Sequence, residues 1–382
     1  MVAWRRGSAR WRVRTVLPRA GIAAAMVGLV AACGAGAGAP GAAGAPAGLV
    51  SAPGGTISET GSSLLYPLMH TWAGAYHKQV PGVTVATVSS SSGTGIAAAS
   101  AGTSDLGASD AFLSTGDLVE NPTLLNIALA VSAQAVIYNL PGASGHVRLD
   151  GAVLAEIYDG TVTMWDDPAI AAINPGTSLP AIKIVPVRRS DSSGDTFLFT
   201  SYLSTGSQSP ADQAWNSKIG YGTTVAWPAV PGELAEAGSV NLLHTCAATA
   251  GCVSYEGISY LAQARAAGLG EAELANDAGA YTLPTQAAIK ASLNTFVSLT
   301  PPSEAISMIN GPAAGGYPIV NYEYAIVSTR QPSAARASAI RSFLTWVLTT
   351  GNQPAYVDTV GFQPLPGALV TLGKQQIGQI GA

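Results

Sequence analysis

The run Ile182-Lys183-Ile184-Val185-Pro186-Val187 alternates and is rich in β-branched side chains, which predicts a strand. Arg188-Arg189-Ser190-Asp191-Ser192-Ser193-Gly194-Asp195-Thr196 follows, and Phe197-Leu198-Phe199-Thr200-Ser201-Tyr202-Leu203 predicts the first turns of a helix. A strand that feeds a Ser/Gly/Asp loop and then a helix start builds an anion site. The helix start carries unpaired N–H groups and a partial positive charge. Hydroxyls, a glycine that lets the backbone approach closely, and a guanidinium add further donors. Asp195 is the anomaly, a carboxylate where an anion is expected to sit.

The same device occurs twice more. Thr56 to Thr60 predicts a strand ending at Gly61-Ser62-Ser63-Leu64. A helix follows, with Leu65, Leu68, Met69, Trp72 and Tyr76 on one apolar face and Ser62 or Ser63 as its N-cap. Val83 to Val88 predicts a second strand, which runs into Ser89-Ser90-Ser91-Ser92-Gly93-Thr94-Gly95 and a small helix from Ile96 to Ala101. Asp110 closes the mostly apolar run Leu106-Gly107-Ala108-Ser109. Taken singly, the serines of the first loop only cap, those of the second form a solvated linker, and Asp110 is a surface turn. Three such helix starts in one body point instead to a single dehydrated tetrahedral oxyanion. Its roughly twelve acceptor lone pairs require many donors.

Along the rest of the chain strands alternate with helices. Asn126 to Asn139 predicts one or two strands, and Leu154 to Trp165 a helix and a turn. Ser239 to His244 and Cys252 to Tyr255 predict strands, with a helix over Ile258 to Ala267. Thr285 to Leu299 and Ala334 to Leu348 predict helices on either side of a strand at Pro318 to Val327. No fixed-period repeat is visible, and the pattern is that of an α/β protein.

The N-terminus reads as a targeting segment. Arg5, Arg6, Arg10, Arg12, Arg14 and Arg19 precede an apolar run from Ala20 to Ala32, about 13 residues, the length of a signal h-region and short for a bilayer span. Val30-Ala31-Ala32-Cys33 reads as a lipobox, with residues 1–32 removed and Cys33 lipidated. The alternative is a plain signal peptide with Cys33 a bystander. Residues 33–54, almost wholly Gly, Ala and Pro, read as a tether. Loss of the six leader arginines leaves 12 basic against 22 acidic side chains, a net charge near −10. That excludes a basic field for nucleic acid or anionic lipid, so any bound anion must be held by local groups. Cys246 and Cys252 are expected to form a short-loop disulfide in an exported protein; two buried thiols are the alternative. The histidines show no ligand spacing, so no metal is expected, and no cofactor.

Four segments together carry a specific resemblance: Glu59-Thr60-Gly61-Ser62-Ser63-Leu64-Leu65-Tyr66-Pro67, Ser92-Gly93-Thr94-Gly95-Ile96, Gly107-Ala108-Ser109-Asp110 and Arg189 to Phe197. They resemble the phosphate-binding proteins of phosphate ABC transporters, most of all the mycobacterial lipoprotein members. The resemblance extends through Ile306 to Pro312 and Tyr317 to Val327 to Gly361-Phe362-Gln363-Pro364-Leu365-Pro366. It implies a type II periplasmic-binding-protein-like fold of two α/β lobes, residues 55–133 with 317–382 and residues 134–316, with the ligand in the cleft between them. It also implies that Ser63, the N–H of Leu64, Ser92, Arg189, Ser193 and Gly194 donate to phosphate. Asp191 orients Arg189, and Asp110 accepts the phosphate proton. Asp195 stands where the family has threonine or aspartate and adds a second acceptor if it points inward. Ser192 departs from the usual glycine, and a left-handed backbone there would strain the loop. The implied partners are inorganic phosphate, the permease subunits and, through the lipid, the extracytoplasmic face of the cell membrane. The rival reading is a phosphatase or phosphoryl transferase using Ser92 or Ser193. It lacks a neighbouring histidine or metal cluster in the sequence, so no enzymatic activity is expected.

Overall fold

The computed structural model describes residues 55–382 apart from 144 and 206–208. The leader, Cys33 and the tether, residues 1–54, lie outside the described residues. A nine-stranded sheet is built from β1 (Gly55–Gly61), β2 (Val83–Ser89), β3 (Leu106–Ser109), β4 (Leu124–Tyr138), β5 (Val185–Arg189), β6 (Leu234–Glu236), β7 (Cys252–Gly257), β8 (Gly270–Glu271) and β9 (Val320–Ser328). Its order is β2-β1-β3-β9-β4-β7-β5-β6, with β8 also paired to β4. The helices that matter to the site are α1 (Tyr66–Gln79), α2 (Ser92–Ala101), α3 (Gly194–Thr205) and α4 (Ser239–Ala248). Two more, α5 (Gln286–Phe296) and α6 (Ala334–Trp346), cover the sheet. Strands β1, β2 and β3 are parallel, which requires the crossovers that α1 and α2 supply.

The centre of the sheet is β4, a single 15-residue strand. It is buried almost end to end, as a strand covered on both faces must be, and this explains its mostly apolar run. Its partner changes midway. Leu124 to Ala133 pair with β9, and Gln134 to Tyr138 pair with β7. The three polar residues inside this strand all have work: Asn126 accepts from the N–H of Leu113, Ser132 bonds Glu323, and Gln134 bonds Asp195.

Helix α2 lies unusually close on the sheet because its glycines allow it. A Cβ on Gly95 would stand 2.5 Å from the carbonyl of Ala108, and one on Gly107 would stand 2.2 Å from that of Gly95. At the far end α1 packs on α6 through Tyr76, whose ring centroid is 5.2 Å from Phe343 and 5.5 Å from Trp346. Under α3, Phe199 stacks on Tyr255 at 4.4 Å, and Tyr158 closes the cluster edge-on. The expected disulfide joins Cys246, in the last turn of α4, to Cys252 at the start of β7. Among the described residues no helix is long and apolar enough to cross a membrane.

Two elements differ from the sequence reading. Helix α1 starts at Tyr66, with Leu65 at its N-cap and no side-chain cap, so neither Ser62 nor Ser63 caps it directly. Ser62 instead closes the preceding turn, accepting from the N–H of Leu65 at 3.0 Å. Residues Ser239 to His244 form the first turns of α4 and not a strand. Short apolar runs do not separate the two periods; here Ser239, Leu242, Leu243 and Cys246 are the buried set, a helical face.

Two carboxyls buried away from the site contribute to the pH response of this fold. Burial pushes Glu59 and Glu304 up to about 8, opposed only by backbone hydrogen bonds from Val88 and Ala128. Below the unfolded value, both states hold the proton and nothing is lost. As pH rises from there towards about 8, the unfolded chain releases a proton that the folded one keeps. Stability then falls by about 1.4 kcal/mol per pH unit for each group. Glu304→Gln removes one share while keeping an oxygen for the Ala128 N–H. Its melting temperature is therefore expected to match the wild type near pH 4 and exceed it by several degrees near pH 8. Parallel melting curves across that range would contradict this assignment.

Candidate functional site

The three sequence-predicted loops converge, and a fourth helix start joins them. In the first loop the N–H of Ser62 donates to the Ala108 carbonyl at 2.9 Å, and Ser62 Oγ donates to Asp110 Oδ1. Ser63 and Leu64 are pinned from behind. Tyr260 Oη donates to the Ser63 carbonyl at 3.1 Å, and Ser259 Oγ to that of Leu64 at 2.7 Å. The Leu64 side chain fills the space above Gly257, where a Cβ would stand 2.4 Å from Leu64 Cγ. In the second loop Ser91 caps α2 through the N–H of Thr94. Ser92 Oγ donates to Asp110 Oδ2 at 3.2 Å and accepts from the N–H of Asp110 at 3.1 Å.

In the third loop the strand end is fixed by the aromatic cluster: the N–H of Arg189 donates to Tyr255 Oη at 2.9 Å. The Arg189 guanidinium is bidentate to Asp191, Nε to Oδ1 at 2.7 Å and Nη2 to Oδ2 at 2.6 Å. This fork locks its plane. Its Nη1 then reaches Asp195 Oδ2 at 2.8 Å and Ser63 Oγ at 3.1 Å. Ser193 Oγ accepts from the N–H of Asp195 at 3.1 Å. Ser192 is not in the left-handed region, so the feared strain is absent. Its side chain donates to Thr223 Oγ1 at 3.0 Å and its carbonyl accepts from the N–H of Gly93 at 2.8 Å.

The loops are in direct contact. A Cβ on Gly194 would stand 2.2 Å from Asp110 Oδ2 and 2.4 Å from Ser92 Oγ. One on Gly93 would stand 2.0 Å from Ser192 Oγ. Only glycine fits at either place. Ser62, Ser63, Ser92, Asp110, Arg189, Ser193 and Asp195 are each at most 4 % exposed, so the cluster is closed to bulk solvent. No hydrogen bond among the described residues takes up the backbone N–H of Ser63, Leu64, Ser92 or Gly194. Buried N–H groups without partners are rare, and four of them on converging loops make a candidate site for an acceptor.

Four participants were missed in the sequence. Ser239, first residue of α4, bonds Ser63 Oγ at 2.8 Å and Asp195 Oδ2 at 3.4 Å. Gln134 holds Asp195, its Nε2 donating to the carbonyl at 2.9 Å and to Oδ1 at 3.1 Å. Glu256 on β7 and Glu323 on β9 are buried behind Ser239 and Asp110. The available signal was a polar residue inside an otherwise apolar strand, which Gln134 and Glu323 both are.

One guanidinium thus sits among several carboxyls: it bonds Asp191 and Asp195, and its charge also bears on Asp110 and Glu256. Burial alone would lower Arg189, but the bonds from Asp191 and the charges of Asp195 and Asp191 outweigh it and hold it charged. Burial raises Asp110, against the bonds from Glu323, Ser62 and Ser92. Burial, then the Asp110 charge, pushes Asp195 up to about 7 against the pull of Arg189. Glu256 and Glu323, with burial dominant and a neighbouring aspartate adding to it, are held well above the carboxylate range. An oxyanion without a proton would meet acceptors here. One that carries its own O–H would find both donors for its oxygens and acceptors for its proton. Neither Ser92 nor Ser193 has a histidine among its hydrogen-bond partners. Among the described residues, no His, Cys, Asp and Glu group is arranged to hold a metal.

A sequence profile of the PBP superfamily domain matches residues 47–350. The phosphate-binding protein PstS of Methanocaldococcus jannaschii is 33% identical over 333 residues, covering 81% of this chain and 82% of that protein. The phosphate-binding protein PstS3 of Mycobacterium bovis (strain BCG) is 30% identical over 320 residues, covering 80% and 81% respectively. Among solved structures, the phosphate-binding protein from Stenotrophomonas maltophilia superposes with a TM-score of 0.63 at 19% identity, covering 84% of this chain and 93% of that one. At that identity the likeness shows the fold alone.

Proposed function

This chain belongs to the phosphate-binding proteins of the PBP superfamily, and from that premise we propose that it captures inorganic phosphate outside the membrane and delivers it to the permease of an ABC transporter. The observation that carries the reading is the buried cage in which unpaired N–H groups and Arg189 sit beside the acceptors Asp110 and Asp195. Ser63, the N–H groups of Leu64 and Ser92, Arg189, Ser193 and the N–H of Gly194 donate to the phosphate oxygens, while the Ser92 hydroxyl stays on Asp110. Asp191 orients Arg189, and Asp110 and Asp195 accept phosphate protons. Sulfate brings no proton at neutral pH and leaves acceptor against acceptor, so the same carboxylates that hold phosphate reject sulfate. The protein performs no chemistry on the ligand.

The two lobes are residues 55–133 with 317–382, and residues 134–316. The change of β4 partner between Ala133 and Gln134 supports this division. Closure of one lobe on the other is a hinge motion, and the closed form is what the permease receives. Lipidation of Cys33 holds the protein at the extracytoplasmic face, with residues 33–54 as tether; the Cys246–Cys252 disulfide accords with that compartment. Fatty-acid labelling that persists in Cys33→Ala would refute the anchor.

A thermal-shift titration tests the binding. Phosphate at a thousandfold excess over its Kd is expected to stabilise the fold by about 4 kcal/mol, and equal sulfate by almost nothing. Equal shifts from the two anions, or release of product from a chromogenic phosphate ester, would overturn the reading.

A further inference from the structure

We propose that Glu323 is a positioning residue for phosphate recognition: held as a carboxylic acid, it donates its proton to Asp110 and so keeps Asp110 an ionised acceptor. This rests on the reading of the cage as a phosphate site.

The placement comes from the sheet. Strand β9 pairs antiparallel with β3 with Tyr324 opposite Ser109, so the next pair along is Glu323 and Asp110. Between Glu323 and Tyr324 the pairing with β4 slips by one residue, a bulge of the kind that re-aims a side chain next to a site. Tyr322 and Tyr324 touch edge to face on one side of β9. Asn321 and Glu323 take the other side, where Asn321 Nδ2 donates to the Asp110 carbonyl at 2.5 Å. Glu323 lies within hydrogen-bonding reach of the Asp110 side chain.

The proton follows from what surrounds that pair. Glu323 is wholly buried. Its Oε1 accepts from Ser132 Oγ, while Oε2 faces no N–H or O–H donor. The charged groups bearing on it are Asp110 and, farther off, Asp195; Arg189 acts on Asp110. An ionised carboxylate with one hydroxyl partner and no cation is too costly to bury. As an acid the group has an O–H that needs an acceptor, and the Asp110 carboxylate supplies one. Burial raises both groups. The bond from Glu323 pulls Asp110 back down, whereas the Asp110 charge drives Glu323 further up. The proton therefore resides on Glu323.

The consequence is a count of acceptor sites. A carboxylate has about four. Ser62, Ser92 and Glu323 occupy three of those on Asp110, leaving one for the O–H of the ligand. Without Glu323, Asp110 is a buried carboxylate beside Asp195 and takes up a proton itself. It then donates where it accepted, and the advantage of phosphate over sulfate goes with it. Glu323 does not touch the ligand in this account; it acts through Asp110.

The test is calorimetric titration of the purified full chain with phosphate and with sulfate, in wild type, Glu323→Leu and Glu323→Gln, over a range from about pH 6 to pH 9. The Leu variant is expected to lower the phosphate-to-sulfate affinity ratio about tenfold or more, and to move the pH below which phosphate binding fades upward by about one unit. Gln still donates to Asp110, so it is expected to lower the ratio by no more than about threefold and to leave that pH at or below the wild-type value. Infrared difference spectra, wild type minus Glu323→Gln, are expected to show the C=O band of one protonated carboxyl near neutral pH, beyond those that Glu59, Glu304 and Glu256 give in both proteins. Identical ratios and pH profiles in Leu and wild type would overturn the proposal. So would a Gln variant that behaves like Leu, or one that keeps the whole band. Should the Leu variant not fold, the band and the Gln pH profile decide alone. A wild type that binds no phosphate defeats the phosphate reading, while the band still tests where the proton resides.

Discussion

Replacing Arg189 by Met is expected to weaken phosphate binding by about three orders of magnitude, because a lone buried cation cannot be removed cheaply. Its side chain is 1% exposed, and among the described residues it is the only cation bonded to the cage carboxylates. Deleting one member of a buried, hydrogen-bonded charge pair costs about 3–5 kcal/mol, partly as lost attraction and partly as charge left unpaired. Asp195 then has no counter-charge and takes up a proton, which turns an acceptor into a donor and disturbs the match to the ligand's O–H. Arg189→Lys keeps the charge but not the fork that Asp191 holds at 2.7 and 2.6 Å, so a large part of the loss is expected to remain. Equilibrium dialysis with labelled phosphate reads both variants. A loss of less than about tenfold in the Met variant would mean that the guanidinium is structural and does not engage the ligand.

Asp110→Asn is expected to change selectivity more than affinity. The amide keeps one oxygen for Ser62 or Ser92 and turns the other position into a donor. Phosphate loses the acceptor for its proton, and sulfate gains a donor for an oxygen. Sites that pair a ligand hydroxyl reject the analogue lacking it by about 10⁴–10⁵, so the phosphate-to-sulfate ratio is expected to fall by about 10³ or more. Competition titrations with both anions measure that ratio directly. An unchanged ratio would place the discrimination elsewhere, with Asp195 the next carboxylate to test.

The parts of this site that were legible in sequence are the local ones. Strand, polar loop and helix start are encoded within a dozen residues; taken singly the first two loops and Asp110 read as cap, linker and turn, and it is the recurrence of the device, with the family resemblance, that singles out Ser63, Ser92, Asp110 and the span from Arg189 to Asp195. What was not legible depends on register or on period. Ser239 was read on a strand because Val240 to Leu243 suits either period, yet it starts a helix that faces Ser63 and Asp195. Glu323 reaches Asp110 only because β9 pairs with β3 across more than two hundred residues. Gln134 sits where β4 changes partner, and nothing in its neighbours marks that point. A left-handed backbone at Ser192 would strain its loop; Ser192 is not left-handed, and the missing side chain of Gly93 leaves room for its hydroxyl.

The most direct measurement is a calorimetric titration of the purified protein, first with phosphate and then with sulfate at the same pH and ionic strength. A cage that provides both donors and proton acceptors predicts tight, saturable phosphate binding and no measurable sulfate binding. Sulfate binding within about tenfold of phosphate, or no heat with either anion, would contradict it.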